Sequence, residues 1–197
     1  LRKMSKKHPI ISVTGSSGAG TTTVKHTFDQ IFRREGITAA SIEGDAFHRF
    51  DRADMKAELA RRTADGDMSF SHFSYDANEL DRLQDVFRSY GETGTGMTRH
   101  YVHDAREAEA YNVEPGHFTD WAPLPEGSDL LFYEGLHGAV VNDQVNLAAL
   151  ADLKIGVVPV INLEWIQKIH RDRAHRGYST EAVTDTILRR MHAYVHC

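Results

Sequence analysis

Gly15-Ser16-Ser17-Gly18-Ala19-Gly20-Thr21-Thr22-Thr23 is a run of glycine and hydroxyl residues of the kind that wraps a phosphate. Its glycines allow a close, strained path, and a helix that follows would aim backbone N–H groups and its positive end at one spot. The Thr22 hydroxyl stands where such loops place a magnesium ligand. The general pattern has a lysine before that hydroxyl, and Thr21 occupies the place. Lys25, a helical turn further on, should point away from the loop. The phosphates therefore require a cation from elsewhere. The blander reading is a glycine-rich turn that joins a strand to a helix, and a dinucleotide loop fits less well because the glycines fall at 15, 18 and 20.

Two acids follow apolar runs. Glu134 comes after Leu130-Leu131-Phe132-Tyr133, the arrangement of an acid that holds magnesium directly or through water. Asp45 lies in Glu43-Gly44-Asp45-Ala46-Phe47-His48-Arg49, where a carboxylate can take the proton of an attacking hydroxyl. In an open parallel sheet ligands bind beyond the carboxyl ends of the strands, so these acids and the glycine loop should converge. For each acid alone, a helix cap or solvated turn is the competing role. A third set, Lys168, Arg171, Asp172 and Arg176, falls on one helical face. Such a face is ordinarily solvated. Closed over a nucleotide, it would bring Lys168, Arg171 and Arg176 to a transferring phosphoryl group, with Lys168 supplying the charge that Thr21 lacks.

The elements that must position these groups are legible in the hydrophobic pattern. Apolar runs predict strands over 10–14, 37–42, 129–133 and 152–160, and 3.6-residue spacing predicts helices over 22–35, 53–62, 78–90, 163–176 and 180–194. Ser179 or Thr180 should cap the last helix. Residues 91–127 are polar and read as a long loop on the substrate side, functional or mobile. Strands alternating with helices predict an α/β three-layer sandwich of the P-loop type, a mostly parallel sheet flanked by helices, in a single domain with a tail at residues 1–7.

Composition narrows the classes. The 197 residues carry a net charge of -5 with 41% hydrophobic and 26% charged residues, an ordinary balance that argues against nucleic-acid binding. No apolar stretch is long enough to span a bilayer. Cys197 is the single cysteine, which suits a reducing cytoplasm. The 12 histidines lack zinc-ligand spacing. No G-x-S-x-G elbow supports hydrolase chemistry. Trp121 and Trp165 read as packing residues. Leu1-Arg2-Lys3 precedes Met4, as in a partial gene or an early-read start.

Taken together, Gly15–Thr23, the Gly44-to-Arg49 segment, residues 70–75, Phe132-Tyr133-Glu134-Gly135-Leu136-His137-Gly138 and Lys168-Ile169-His170-Arg171-Asp172-Arg173 resemble the phosphoribulokinase and uridine kinase family, its bacterial phosphoribulokinase branch most closely. That branch has Thr at the lysine position. Ala19 replaces the regulatory cysteine of plant-type members, so thiol switching is not expected. The resemblance implies a kinase of the Calvin cycle that uses ATP and Mg²⁺ to phosphorylate a primary hydroxyl of ribulose 5-phosphate. It implies Asp45 as the base, Thr22 and Glu134 as magnesium ligands, and Gly15 through Thr23 as the nucleotide loop. Lys168 and Arg171 would contact the phosphoryl groups, with Asp172 assisting; Asp45 and Asp172 can exchange roles on type and spacing. His48, Arg52, Tyr101, His103 and Arg176 match positions associated with the sugar phosphate, and Arg34 is tied to regulation. Members of that branch run roughly half as long again. The further part is expected to complete the sheet and to build oligomer contacts and an NADH/AMP site, the full-length form being a homo-oligomer. The alternatives are a uridine- or pantothenate-type kinase and a catalytically silent nucleotide-binding fragment.

Overall fold

A computed structural model describes residues 7–16, 19–158 and 161–189, with backbone alone at 161–164, 175–176 and 189. In chain order the elements are β1 (Ile10–Gly15), α1 (Thr21–Glu35), β2 (Ala39–Glu43), α2 (Arg52–Ala64), α3 (Leu80–Thr93), β3 (Met97–Thr98), α4 (Ala105–Tyr111), β4 (Ala122–Pro123), β5 (Leu130–Gly135), β6 (Leu153–Val157), α5 (Ile161–Arg176) and α6 (Thr180–Arg189). The four longer strands form one parallel sheet in the order β2-β5-β1-β6, while β3 and β4 pair as a small antiparallel ribbon.

The unbroken apolar run of β5 is explained by burial on both sides. Leu131 and Tyr133 join Ile10 and Ile42 against Leu83, Val86, Phe87 and Tyr90 of α3. Leu130 and Phe132 join Ile11 and Val13 on the other face, where Val24, Phe28 and Phe32 of α1 cover them. A strand buried on both faces has no polar side to alternate with. The result is the α/β P-loop sandwich with helices on either side of a parallel sheet.

Several boundaries differ from the sequence reading. The second strand starts at Ala39, because Ile37 N–H closes the end of α1 on the Phe32 carbonyl (2.8 Å). Glu134 is inside β5 and Asp45 lies in a 3-10 turn, Gly44–Phe47, directly after β2. Residues 91–127 are not a structureless loop. They hold the end of α3, the ribbon, a bridge from Tyr101 to Phe118, and α4, which Asp104 caps by accepting from Arg106 N and Glu107 N. Asn78 and Glu79 precede α3, and His48 pairs with Asn78 as an isolated bridge. Ser179 Oγ accepts from Ala182 N at 3.1 Å, as a cap should. Positions 159–160 of the fourth strand and 190–194 of the last helix lie outside the described residues. No helix among the described residues is long and apolar enough to cross a membrane.

Candidate active site

The sheet register decides where the chemistry gathers. Glu134 lies opposite Val13 of β1 and Glu43 of β2, so the glycine loop, Glu134 and the turn bearing Asp45 leave the sheet along one rim. Of the loop, Gly15, Ser16 and Ala19 to Thr23 are described; Ser17 and Gly18 are not. Gly20 takes a left-handed φ of 97° as the residue before α1, which a side chain would resist, and its carbonyl starts the helix by accepting from Val24 N (3.1 Å). Thr21 is buried and its hydroxyl hydrogen-bonds Glu134, while Thr22 and Thr23 are exposed. Burial pushes the Glu134 carboxyl up, and Asp45 and Glu43 add to it, against that Thr21 bond and the charge of Lys25. Lys25 thus does not point wholly away. Its ammonium pairs with Asp29 at 3.2 Å, yet its charge reaches Glu134.

Asp45 is the hub of the sugar-side residues. Its Oδ1 lies 3.2 Å from His48 Nε2 and its Oδ2 3.2 Å from His103 Nε2. Burial works to raise the Asp45 carboxyl, but the His48 charge and hydrogen bonds from both imidazoles hold it well below its ordinary value. With 49% of its side-chain surface still open, the desolvation is partial and the imidazoles decide the direction. Arg52 reaches the same cluster, donating through Nη2 to the His103 carbonyl at 2.8 Å and bonding the Tyr101 hydroxyl. Tyr101 sets its ring edgewise to His48 and His103, 6.0 and 4.9 Å between centroids. Gly44 is required beneath this turn, since a Cβ there would come within 2.6 Å of Tyr133 Oη.

On α5, Lys168 and Asp172 are both 4% exposed and pair at 3.3 Å, and Arg171 Nε donates to Asp172 Oδ1 at 3.0 Å. The expected shared face is therefore present for these three, with the Lys168 ammonium engaged by Asp172. The Arg176 side chain lies outside the described residues. Trp121 packs on Phe47 (5.5 Å) and under the guanidinium groups of Arg82 and Arg99, as a packing residue does.

Two residues of the site were not singled out from the sequence. Arg99 donates from Nε to the Ala46 carbonyl and from Nη2 to the His48 carbonyl, each at 2.8 Å, so it clamps the turn on both sides of Asp45. Its guanidinium lies 3.7 Å from the Phe118 ring centroid. Asn78 bonds His48 Nδ1 through Oδ1 at 2.8 Å. In the sequence Asn78 is the first residue of a predicted helix and Arg99 one polar residue of the 91–127 stretch, and neither position signals this role.

Comparison with known proteins gives the family. The model of the Phosphoribulokinase / Uridine kinase family matches residues 10–197. The chain belongs to that family. It is 79% identical over 194 residues to Phosphoribulokinase 1 of Cereibacter sphaeroides, covering 98% of this chain and 67% of the relative. It is 69% identical to a phosphoribulokinase of Nitrobacter vulgaris, with the same coverage of 98% and 67%. The solved phosphoribulokinase from Rhodobacter spheroides superposes with a TM-score of 0.82 at 75% identity, over 98% of this chain and 66% of that one. The chain thus spans about two thirds of the length of these relatives.

Kinases of this family act on a nucleotide, and the rim suits one with its metal. Glu134 is a hard oxygen donor that burial and two neighbouring acids disfavour as a bare anion, so a dication beside it relieves that repulsion. The exposed Thr22 hydroxyl could be a second oxygen donor. No cluster of three or more His, Cys, Asp or Glu able to hold a metal occurs among the described residues, and magnesium needs none, because one carboxylate plus substrate phosphates is its usual set.

Proposed function

We propose that this chain carries the catalytic centre of an ATP-dependent kinase that converts ribulose 5-phosphate to ribulose 1,5-bisphosphate, the substrate of carbon fixation. The observation that carries the reading is the Asp45 carboxylate, held between two imidazoles on the rim that bears the glycine loop and Glu134. The relatives' names, at 60–79% identity, point the same way.

The open side of Asp45 accepts the proton of the sugar's primary hydroxyl. That O–H bond breaks, the oxygen's electron pair attacks the γ-phosphorus, and the bond to the ADP oxygen breaks with its pair leaving on ADP. A carboxylate of depressed pKa is a weak base, and a loose phosphoryl transition state asks for alignment more than for basicity. Arg52, His48 and His103 provide cationic and donor groups for a sugar phosphate, and the Tyr101 hydroxyl faces the same cluster. The loop from Gly15 to Thr23 offers backbone N–H groups to the nucleotide phosphates. Thr22 and Glu134 would hold magnesium, which would neutralise charge on the phosphoryl oxygens. Lys168 and Arg171 serve the transferring group when α5 closes, Asp172 releasing Lys168 to do so, and Arg176 joins the sugar phosphate. In the full-length form the enzyme is a cytoplasmic homo-oligomer.

An assay of ADP release with ribulose 5-phosphate, uridine and pantothenate offered separately tests this. Turnover is expected on ribulose 5-phosphate alone and should vanish when a chelator removes magnesium. Comparable turnover on uridine, or ATP binding with no turnover on any acceptor, overturns it.

A further inference from the structure

The segment 70–75 contributes no chemical group to the reaction above, yet it shapes the site through one amide. Its turn, closed by Ser74 N on the Ser71 carbonyl (2.9 Å), brings two carbonyls onto Asn78. Asn78 Nδ2 donates to the His72 carbonyl at 3.0 Å and to the Ser74 carbonyl at 2.8 Å. Carbonyls only accept, so the amide cannot be turned round: its NH₂ faces the segment and its oxygen faces His48. The side chain is 2% exposed, and no solvent competes for it. That oxygen lies 2.8 Å from His48 Nδ1 and can only accept, so Nδ1 carries a proton. A neutral imidazole has one proton. With it on Nδ1, Nε2 would turn a lone pair toward the Asp45 carboxylate 3.2 Å away. The imidazolium alone satisfies both neighbours.

We propose that Asn78 is a positioning residue for Asp45: it fixes the proton on His48 Nδ1, so that His48 holds the carboxylate through Nε2 only as a charged donor. Asp45 and His48 then behave as one unit that shares the Nε2 proton. Other groups around His48 are His72 from the 70–79 segment, Arg99 and Tyr101 from the 97–103 segment and His137 after β5, with His103 on the far side of Asp45. Burial and the Arg99 charge push His48 down, but the Asp45 charge and the bonds to Asp45 and Asn78 push it further up. With a raised folded pKa, the charged contact is present at lower pH and is lost as pH rises through that value. The consequence for turnover rests on Asp45 being the base; the tautomer does not.

Nitrogen-15 NMR of the imidazoles across pH reads the tautomer directly, with a His48→Gln sample to assign the signals. The wild-type ring is expected to lose its Nε2 proton on deprotonation and keep Nδ1–H. In Asn78→Ala the neutral ring should move its proton to Nε2, the midpoint should fall, and the basic limb of kcat/KM should follow it down, with a loss on the order of tenfold. A neutral wild-type His48 protonated on Nε2 overturns the proposal, and this reading does not depend on Asn78→Ala folding. So does an Asn78→Ala chain whose tautomer and midpoint match wild type while activity drops evenly at every pH. If ribulose 5-phosphate proves not to be the acceptor, the spectra still decide the role of Asn78.

Discussion

The cluster around Asp45 and the charged face of α5 both hold an acid between two partners, but they are built in opposite ways. Asp45 is held by His48 from its own turn and by His103, which belongs to a distant stretch, with Arg52 and Arg99 bracing them from two more. Asp172 is met from its own helix by Lys168 a turn before it and by Arg171 beside it. The Asp45 carboxylate keeps 49% of its side-chain surface open, whereas Asp172 and Lys168 are closed off at 4% each. A group braced by several segments is fixed before substrate arrives. A buried pair on one helix must exchange partners to act, and such exchange is what a closing element provides. On the proposed closing of α5, the acid end of this site is preorganised and the basic end is the part that would move.

The largest test of that contrast is Asp45→Asn, which should lower kcat by about 10²–10⁴ while leaving ATP affinity measured by calorimetry unchanged. If Asp172→Asn proved the costlier change in kcat at equal nucleotide affinity, the two acids would have to swap roles. Next in size is stability. Asp172→Leu removes the carboxylate facing the buried Lys168 ammonium and should cost about 3–5 kcal/mol in denaturant unfolding, while adding Lys168→Met should recover most of it. A double variant no better than the single would mean the helix pair is not the closed unit described here.

A smaller effect separates the regions by pH. Asp45 is depressed in the fold, so its contribution is present above the unfolded carboxyl value and lost as pH falls through the folded one. His48 is raised, so its contribution is present at pH below the unfolded imidazole value and lost as pH rises through the folded one. Thermal midpoints should form a plateau between these limits and decline on both sides. In Asp45→Asn the plateau should flatten, and an unchanged profile there would remove the pair from the account.

The parts of the site that were legible are those governed by local rules. Apolar runs, a glycine loop and an acid at the end of a run are statements about a few adjacent residues, and they located the described loop residues, Asp45 and Glu134 on one rim. His48, Arg52, Tyr101 and His103 were found through resemblance to a family, since nothing in their spacing places them around one carboxylate. The short elements inside the long 91–127 stretch were not read from the sequence, because its order comes from partners far along the chain, such as the Tyr101–Phe118 bridge and the Arg99 clamp.

What the sequence determined by itself is the alternation of elements, and with it the edge of the sheet where a phosphate and an acid must meet, because periodicity and backbone strain act within a turn or two. Only the tertiary structure decided which protons and charges face Asp45. The Asn78–His48 and Arg99–His48 bonds join residues 30 and 51 positions apart, and such pairs exist only once the two carbonyl-bearing segments have closed on each other. Hydrogen-bond direction is a property of that closed geometry, and no residue type carries it alone.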